Sequence, residues 1–432
     1  MTPLTTFTII FTIVILLLVT EIEHRAVVAM LAAVLSVYFG TAYGLFSFEE
    51  IVEMLNLDTV LFIVGILVLF ETISESGFFD FLGLYLLNKL GSKSTLLVIV
   101  QLTLVTLFSG ISSNITVMLI FGAITLKFSE VLGIDAKNTI LVEGLQTNVG
   151  GILIPISSIP ALIIATKTHM TFMKFMRISV PFIISLTVIS VLISWILYYR
   201  KKSPVREAAE RSRKTNVDPW TAVENPSALY RSLLIFSGFL VAIFMSEQIG
   251  LRPSFIAFFF VTISFLLSGV DPDKVFQRTD WSIPFFVAGF FIFVGGLERS
   301  GVLDKIAEGL VNILYLNPCI SAPLLLLICA IISAFIDNIP VVLILYPIVK
   351  ELVEIMKINP APFYWALIIG GNLGGNLTTF GSPSVLIGVR LLERNDIEVT
   401  MGDYVKICYP IVVIQILASM LLLSLMVSLG LL

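Results

Sequence analysis

"SAFIDNIPVVLILYPI" occupies residues 333–348 and sets an aspartate, an asparagine and a proline in the middle of an apolar run. Residues 333–336 read as the end of one hydrophobic helix and 341–348 as part of the next. "SGISSNITVMLIFGAI", at 109–124, has the same layout, so that Ser109 corresponds to Ser333 at an offset of 224 (333 − 109). "TNVGGILIPISSIPALII" from Thr147 and "GNLGGNLTTFGSPSVLIG" from Gly371 are separated by the same offset, as are "SGFFD" from Ser76 and "SGVLD" from Ser300. Three ungapped matches at one offset make the chain a tandem of two halves with the same polar interruptions.

The composition says what surrounds those interruptions. Of 432 residues, 57% are hydrophobic and 13% charged, against about 25% charged in a soluble chain. The mean hydropathy is +1.03, and many segments reach the ~20 apolar residues that cross a bilayer as a helix. Short alternating segments, the mark of a membrane barrel, are absent. The N-terminal "MTPLTTFTIIFTIVILLLVT" lacks a basic flank and a cleavage site, so it reads as a first transmembrane helix rather than a removed signal. Cys319, Cys329 and Cys408 sit in apolar contexts without metal-ligand spacing, and only His24 and His169 accompany them. A metal or redox cofactor is not expected, and packing is the better reading of the thiols.

One polar stretch divides the chain. Residues 200–231, "RKKSPVREAAERSRKTNVDPWTAVENPSALYR", open strongly basic. A basic run beside a membrane helix is a topogenic signal, which places this linker in the cytoplasm rather than on nucleic acid. The domain reading is therefore a first membrane repeat over 1–199, a linker over 200–228 and a second repeat over 229–432. Each half reads as about five transmembrane helices, with an amphipathic interfacial stretch at 78–94, a hairpin and a broken helix. Both hairpin runs are short and their polar junctions fall at membrane depth, which predicts re-entrant hairpins whose tips are buried in protein or face a wet cavity. An odd number of spans inverts the second half. The Lys- and Arg-free loop at 46–57 and the basic residues at 200–214, Arg390 and Arg394 agree with inversion; Lys167, Lys174 and Arg177 fall on the wrong side. The expected fold is an all-α polytopic membrane protein of two inverted repeats. Such repeats with broken helices point to secondary transport, with the site where the repeats meet.

Each polar break exposes free helix-end amides or carbonyls. Asparagine adds a donor and an acceptor without charge, and glycine lets backbone approach a ligand. Simple helix capping is the competing reading of Asp337 and the asparagines, but it does not account for four breaks in two repeat-related pairs. Among ionisable residues, Asp337 corresponds to Ser113 in the first half and Glu143 corresponds to Leu367 in the second. A buried ionisable group within a span is a functional candidate. Asp337 is the first candidate for the coupling site and Glu143, one turn before the Thr147 break, the second, with a hydrogen bond to a neighbouring helix as its structural alternative. Glu71 and Glu75 read as interfacial.

At these motifs the chain resembles the ion transporter superfamily, in particular its ArsB/NhaD permease branch of arsenite/antimonite efflux permeases, sodium/proton antiporters and proteins with a citrate-transporter-like domain. "DNIPVVLILYP", "NLGGNLTTFGSPSVLIG" and "VTMGDYVKICYP" carry the likeness most specifically. The resemblance implies that Ser113, Asn114 and Thr116 with Asn148, Gly150 and Gly151, and Asp337 and Asn338 with Asn372, Gly374, Gly375 and Thr378, surround the substrate, with sodium an option at the broken helices. The first half departs from the branch pattern: Ser113 replaces an acidic tip residue, and "SSIPA" at 157–161 stands where a "GDPPN"-like run is usual.

The leading function is a secondary transporter of a small inorganic ion or oxyanion, by arsenite-type efflux or sodium/proton exchange, coupled to a proton or sodium gradient. A sodium-coupled carboxylate or anion transporter is the alternative; no arginine stands near the tips in sequence as a bidentate partner for a multiply charged carboxylate. A channel is the reading of another class, and no nucleophile–base spacing suggests an enzyme. The implied partners are the ion with its proton or sodium, membrane lipids of a prokaryotic plasma membrane, a second copy in a homodimer and, for arsenite efflux alone, a soluble ATPase. No nucleic acid is expected.

Overall fold

The computed structural model describes residues 2–20, 22–90, 94–111, 113–168, 170–199, 218–306, 308, 317–336, 338–379 and 381–432. Among the described residues every regular element is a helix. The first half comprises α1 (Pro3–Thr20), α2 (Arg25–Ala42), α3 (Phe48–Met54), α4 (Leu57–Glu75), α5 (Phe78–Leu90), α6 (Ser94–Ser109), α7 (Asn114–Leu132), α8 (Ala136–Gly150), α9 (Ile159–Lys167) and α10 (Phe172–Ser194). The second comprises α11 (Pro226–Phe244), α12 (Pro253–Leu267), α13 (Pro272–Arg278), α14 (Ser282–Arg299), α15 (Pro318–Ser333), α16 (Asn338–Met356), α17 (Ala361–Gly374), α18 (Pro383–Glu393) and α19 (Met401–Ser428). Seven described helices are long and apolar enough to cross a membrane. Side chains such as Leu234, Leu266 and Leu421 stand largely exposed on their outer faces, the surface a lipid-solvated protein presents rather than a water-solvated one.

Local chemistry fixes many of the ends. Thr171 caps α10, Asp135 caps α8, and Asn225 caps α11 with Pro226 in its first turn, where proline's missing N–H costs nothing. Gly133, at φ 68°, closes α7 in the left-handed conformation that lacks a Cβ penalty. Residues 46–57, read from sequence as a plain loop, contain α3. Its signal is a capping box: the Ser47 amide donates to the Glu50 carboxylate at 2.8 Å while the Glu50 amide donates to the Ser47 hydroxyl.

The repeat extends to the element bounds. α15 and α16 begin at the repeat offset from α6 and α7, and α13 begins at the same offset from α3. The packing is reciprocal as well: α2 lies on α14 as α12 lies on α4, and α6 lies on α8 as α15 lies on α17. Repeat-related glycines make the closest contacts. A Cβ on Gly65 would fall 2.6 Å from that of Ala257, and one on Gly289 would fall 2.8 Å from the Ala29 backbone. Small residues at such crossings let membrane helices pack without side chains between them. Gly289 meets Ala29 and Gly296 meets Ser36, seven residues further on each helix, so α2 and α14 run parallel.

Two ion pairs repeat with their charges exchanged. Glu50 on α3 pairs with Arg299 at the end of α14 at 2.9 Å. At the equivalent positions Lys274 on α13 pairs with Glu75 at the end of α4 at 3.5 Å, and Arg278 joins that carboxylate. The same contact is thus made twice between the halves, with opposite polarity.

Of the basic linker, residues 200–217 lie outside the described residues. From Asp218 the chain forms a turn that sets Trp220 on Phe81 of α5, ring centres 4.6 Å apart, and beside Tyr230 of α11. This aromatic cluster anchors the amphipathic helix that the sequence places at the interface.

Candidate functional site

The two hairpin tips and the two helix breaks converge. Ser109 ends α6, and its hydroxyl donates to Asn114 Oδ1 across the tip and to the Thr147 carbonyl of α8 at 2.7 Å. The equivalent Ser333 donates to the Gly371 carbonyl of α17 at 2.8 Å. Each hairpin is thereby tied to a carbonyl in the last turn of its broken helix; that of Thr147 also accepts the Gly151 amide at 3.0 Å. Gly150 and Gly374 permit the approach: an added Cβ would lie 2.3 Å from the Thr106 carbonyl oxygen or 2.4 Å from that of Ala330. They act first as packing glycines, not as ligand-facing ones.

Around the tips runs an amide and hydroxyl network that crosses the halves. Asn114 Nδ2 donates to Asn148 Oδ1 at 3.2 Å, Asn148 Nδ2 to Asn376 Oδ1 at 2.7 Å, and the Ser382 hydroxyl to Asn148 Oδ1 at 3.1 Å. Thr147 and Ser384 hydroxyls join at 2.7 Å, and Asn376 Nδ2 donates to the Leu145 carbonyl at 3.2 Å. Tyr404 of α19 donates to the Asn376 carbonyl at 2.9 Å. Asn372 is arranged differently from its counterpart Asn148. Its Nδ2 donates to the Ile368 carbonyl at 2.8 Å, while its buried Oδ1 has no hydrogen-bond partner and faces Gly151, 2.8 Å from where a Cβ would stand.

The network walls a cavity of about 110 Å³. At roughly 10–15 Å³ per water-sized probe sphere, it has room for several waters or one small ion with part of its shell. Ser113, Asn114, Asn148 and Asn338 line it, with apolar residues of α4. Two larger spaces of about 620 and 590 Å³ flank it. They are lined at repeat-related positions, Asp58, Phe62, Leu162 and Thr166 in one and Ser282, Phe286, Leu386 and Arg390 in the other. Leu162 is shared by the cavity and the first vestibule, Arg25 and Pro383 by the cavity and the second.

Of the residues singled out in the sequence, Gly151, Asn372, Gly375 and Thr378 form the buried layer behind the cavity, with the Thr378 hydroxyl donating to the Ala334 carbonyl at 2.6 Å. Thr116 turns away to Glu71 at 3.4 Å. Ser113 stands at the N-cap position of α7 but makes no side-chain capping bond. Asp337 lies outside the described residues; its neighbour Asn338 lines the cavity.

The sequence reading missed Ser157, Ser158, Ser382, Ser384 and Arg25, all on the cavity wall. Ser158 and Ser382 occupy equivalent positions in the two halves, so the repeat itself held their signal. Arg25 had none: it opens α2, far from either tip in sequence, and only the fold brings it in. The expectation that no arginine stands ready at the site is therefore corrected. Glu143 is buried among α6, α7 and α8 and does not line the cavity.

A cavity between matched halves, approached by a matched vestibule from each, suits a solute that enters from one and leaves by the other. The fold is similar to that of the YdaH transporter of Alcanivorax borkumensis, whose crystal structure superposes with a TM-score of 0.61 at 12% identity over 94% of this chain and 99% of that one. The protein is a membrane transporter. It belongs to the citrate transporter family CitMHS, whose model matches residues 15–370 and 320–430. An uncharacterized transporter of Mycobacterium tuberculosis is 24% identical over 357 residues, 81% of each chain. The human P protein is 21% identical over 482 residues, covering 94% of this chain and 58% of that protein.

Proposed function

We propose that the protein is a secondary active transporter that carries a small anion, an inorganic oxyanion or a carboxylate, through the central cavity by alternating access, coupled to a proton or sodium gradient. The observation that carries this reading is the cavity itself. Four helix ends of the two halves meet there, and Arg25 is the one charged side chain among its described lining residues. A guanidinium beside neutral amides and hydroxyls favours an anion that accepts two parallel hydrogen bonds. The carboxylate half of the reading also draws on the family, described as citrate transporters.

A second reading, arsenite-type efflux or sodium/proton exchange, is favoured by the other polar lining groups, which are all neutral amides or hydroxyls. Asp337, next to Asn338, is the coupling candidate at the tip in either case.

Inversion of the halves is part of the proposal. α2 and α14 run parallel, while α2 and α4, joined by a short connection, run opposite if both cross the bilayer. The repeat-related α4 and α14 then run opposite too, which supports an inverted pair. Inversion would turn the two vestibules toward opposite faces, and the basic start of the 200–228 linker supports its placement in the cytoplasm of a prokaryotic cell.

Uptake into proteoliposomes tests the class. Labelled citrate, arsenite and sodium are offered under imposed pH or sodium gradients. Saturable, gradient-driven accumulation of an anion is expected. Conductance that neither saturates nor accumulates solute would make the protein a channel.

A further inference from the structure

The geometry points to Glu143 as a proton-binding site separate from the central cavity, its proton exchanged when hairpin α6–α7 and helix α8 move against each other. The Glu143 carboxyl is fully buried, as are Gln101 of α6 and Thr125 of α7. Thr125 donates to Glu143 Oε1 at 2.6 Å and Gln101 Nε2 to the same oxygen at 2.8 Å; Gln101 also donates to the Phe121 carbonyl at 3.3 Å. Glu143 Oε2 and Gln101 Oε1 are buried without a partner. One oxygen thus carries both bonds, each from a neutral donor.

Among the described residues no cation answers this carboxyl. No ion pair among the described residues includes it. α6 has no ionisable residue, and α7 turns Lys127 and Glu130 outward. α10 and α18 do the same with Lys174 and Arg177, and with Arg390 and Glu393. α17 offers only Tyr364. α19 brings buried Tyr404, bonded to Asn376, buried Cys408, and exposed Lys406, while its Asp403 pairs with Lys137 of α8 itself at 3.0 Å. A carboxylate without a cation or a second pair of side-chain donors is strongly disfavoured in such a place, so the site favours the neutral acid.

The other half shows that packing does not require the cluster. At the positions equivalent to Gln101, Thr125 and Glu143 stand Leu325, Val349 and Leu367, all buried in the same arrangement of hairpin and broken helix. An apolar trio therefore holds hairpin α15–α16 to α17, and the polar trio in the first half supplies what the apolar one lacks: a group that can lose a proton. Losing it leaves a charge that only water or a displaced hairpin arm can satisfy, which links the proton to the position of the tip at the cavity.

This rests on the transport reading for one of its two readouts. Infrared difference spectra of the purified protein in lipid, taken across pH, should contain the C=O band of a buried carboxylic acid. The band should fade as pH rises and vanish in Glu143→Gln. In proteoliposomes Glu143→Gln should lose pH-gradient-driven accumulation, with a flattened pH profile. A triple variant carrying Gln101→Leu, Thr125→Val and Glu143→Leu should insert, lack the band and show the same loss; it stands in if the single variant misfolds. The proposal is overturned if wild type lacks the band at every pH, or if either variant keeps the wild-type pH profile. If wild type moves no solute, a titrating band lost in Glu143→Gln keeps the proton site and rejects only the transport reading.

Discussion

The repeat-related glycines of the broken helices separate packing from ligand approach. In Gly150→Ala the new methyl would lie 2.3 Å from the Thr106 carbonyl oxygen, 2.8 Å from Ser109 Cβ and 3.0 Å from the Gly110 nitrogen, where ordinary contact begins at 3.4 Å. Two of these atoms are backbone and cannot rotate aside. α8 must then retreat from α6 by about 1 Å, an overpacking that costs ~1–3 kcal/mol, partly offset by the ~0.5–1 kcal/mol by which alanine outdoes glycine within a helix. The net expectation is a loss of up to about 2.5 kcal/mol, centred on ~1 kcal/mol. Gly374→Ala meets the Ala330 carbonyl oxygen at 2.4 Å and its Cα at 2.6 Å, so its cost should match. Gly122→Ala is the control: its methyl meets first the movable end of Leu391, at 2.5 Å, and should cost less. Thermal unfolding in one detergent, followed by tryptophan fluorescence, ranks the three, and the transport KM is measured alongside. If Gly150→Ala melts with wild type yet loses substrate affinity, the packing argument fails, and Gly150 serves backbone approach to a ligand.

Arg25→Gln should lower kcat/KM for the anion by about tenfold to a hundredfold, the ~1.5–3 kcal/mol of a hydrogen bond to a charged group, and Arg25→Lys should recover part of it; an unchanged KM in Arg25→Gln would remove the guanidinium from the site. Asn114→Ala and Asn338→Ala should each abolish transport in protein that still inserts and runs as one species; wild-type flux in either reduces that asparagine to a helix end. Cysteines placed at Ser203 and at Glu50 should react with impermeant reagent from opposite faces, and reaction from one face would dismiss the inversion. The Glu50 carboxyl is held below the usual carboxylate range, first by the Ser47 amide and less by Arg299. A depressed folded-state pKa means that this contact contributes fully at neutral pH and is lost as pH falls through the folded value. The difference in melting temperature between wild type and Glu50→Gln should therefore be constant near neutrality and shrink in acid; a difference that grows in acid would contradict the assignment.

The parts of this protein legible in sequence are those written twice or written locally. Hairpin junctions, breaks and glycines recur at one offset, and the structure keeps that offset to the residue in α6, α7 and α3. The capping box of α3 was equally local but went unread, because "SFEE" lies in a short stretch without the length of a span. Arg25 was invisible for another reason, and the serines after the breaks carried no signal beyond the repeat. They reach the cavity through contacts between elements far apart in the chain, α2 against α14 and α18 against α7 and α8, and hydropathy carries no trace of such pairings. Thr116 shows the reverse failure: its place beside a tip suggested a ligand, but a residue two positions along a helix from Asn114 faces another side of it, here toward Glu71.

What the two halves share and where they differ sort into different kinds of residue. Asn114 and Asn338, Asn148 and Asn372, Gly150 and Gly374, and Ser158 and Ser382 match across the repeat, and all are neutral. Several charged positions near the site do not match: Arg25 corresponds to Ile249 across the repeat, Glu71 to Gly295, Glu143 to Leu367, and Asp337 to Ser113. Two equivalent half-sites with the same charges would bind the same solute in the same way from either vestibule, and they would also bring like charges together at the centre. Matched neutral groups avoid that repulsion and let either half close over the cavity. On the transport reading proposed above, the unmatched charges would supply the chemistry: one cation, Arg25, on the cavity wall, and carboxyls confined to single positions where a proton or cation could be gained on one side and lost on the other. A variant chain with Leu367→Glu, Leu325→Gln and Val349→Thr would restore the symmetry at Glu143. On this argument it gains a second proton site, so its pH dependence should steepen; an unchanged slope, with the protein intact, would mean that the difference between the halves at this position has no part in coupling.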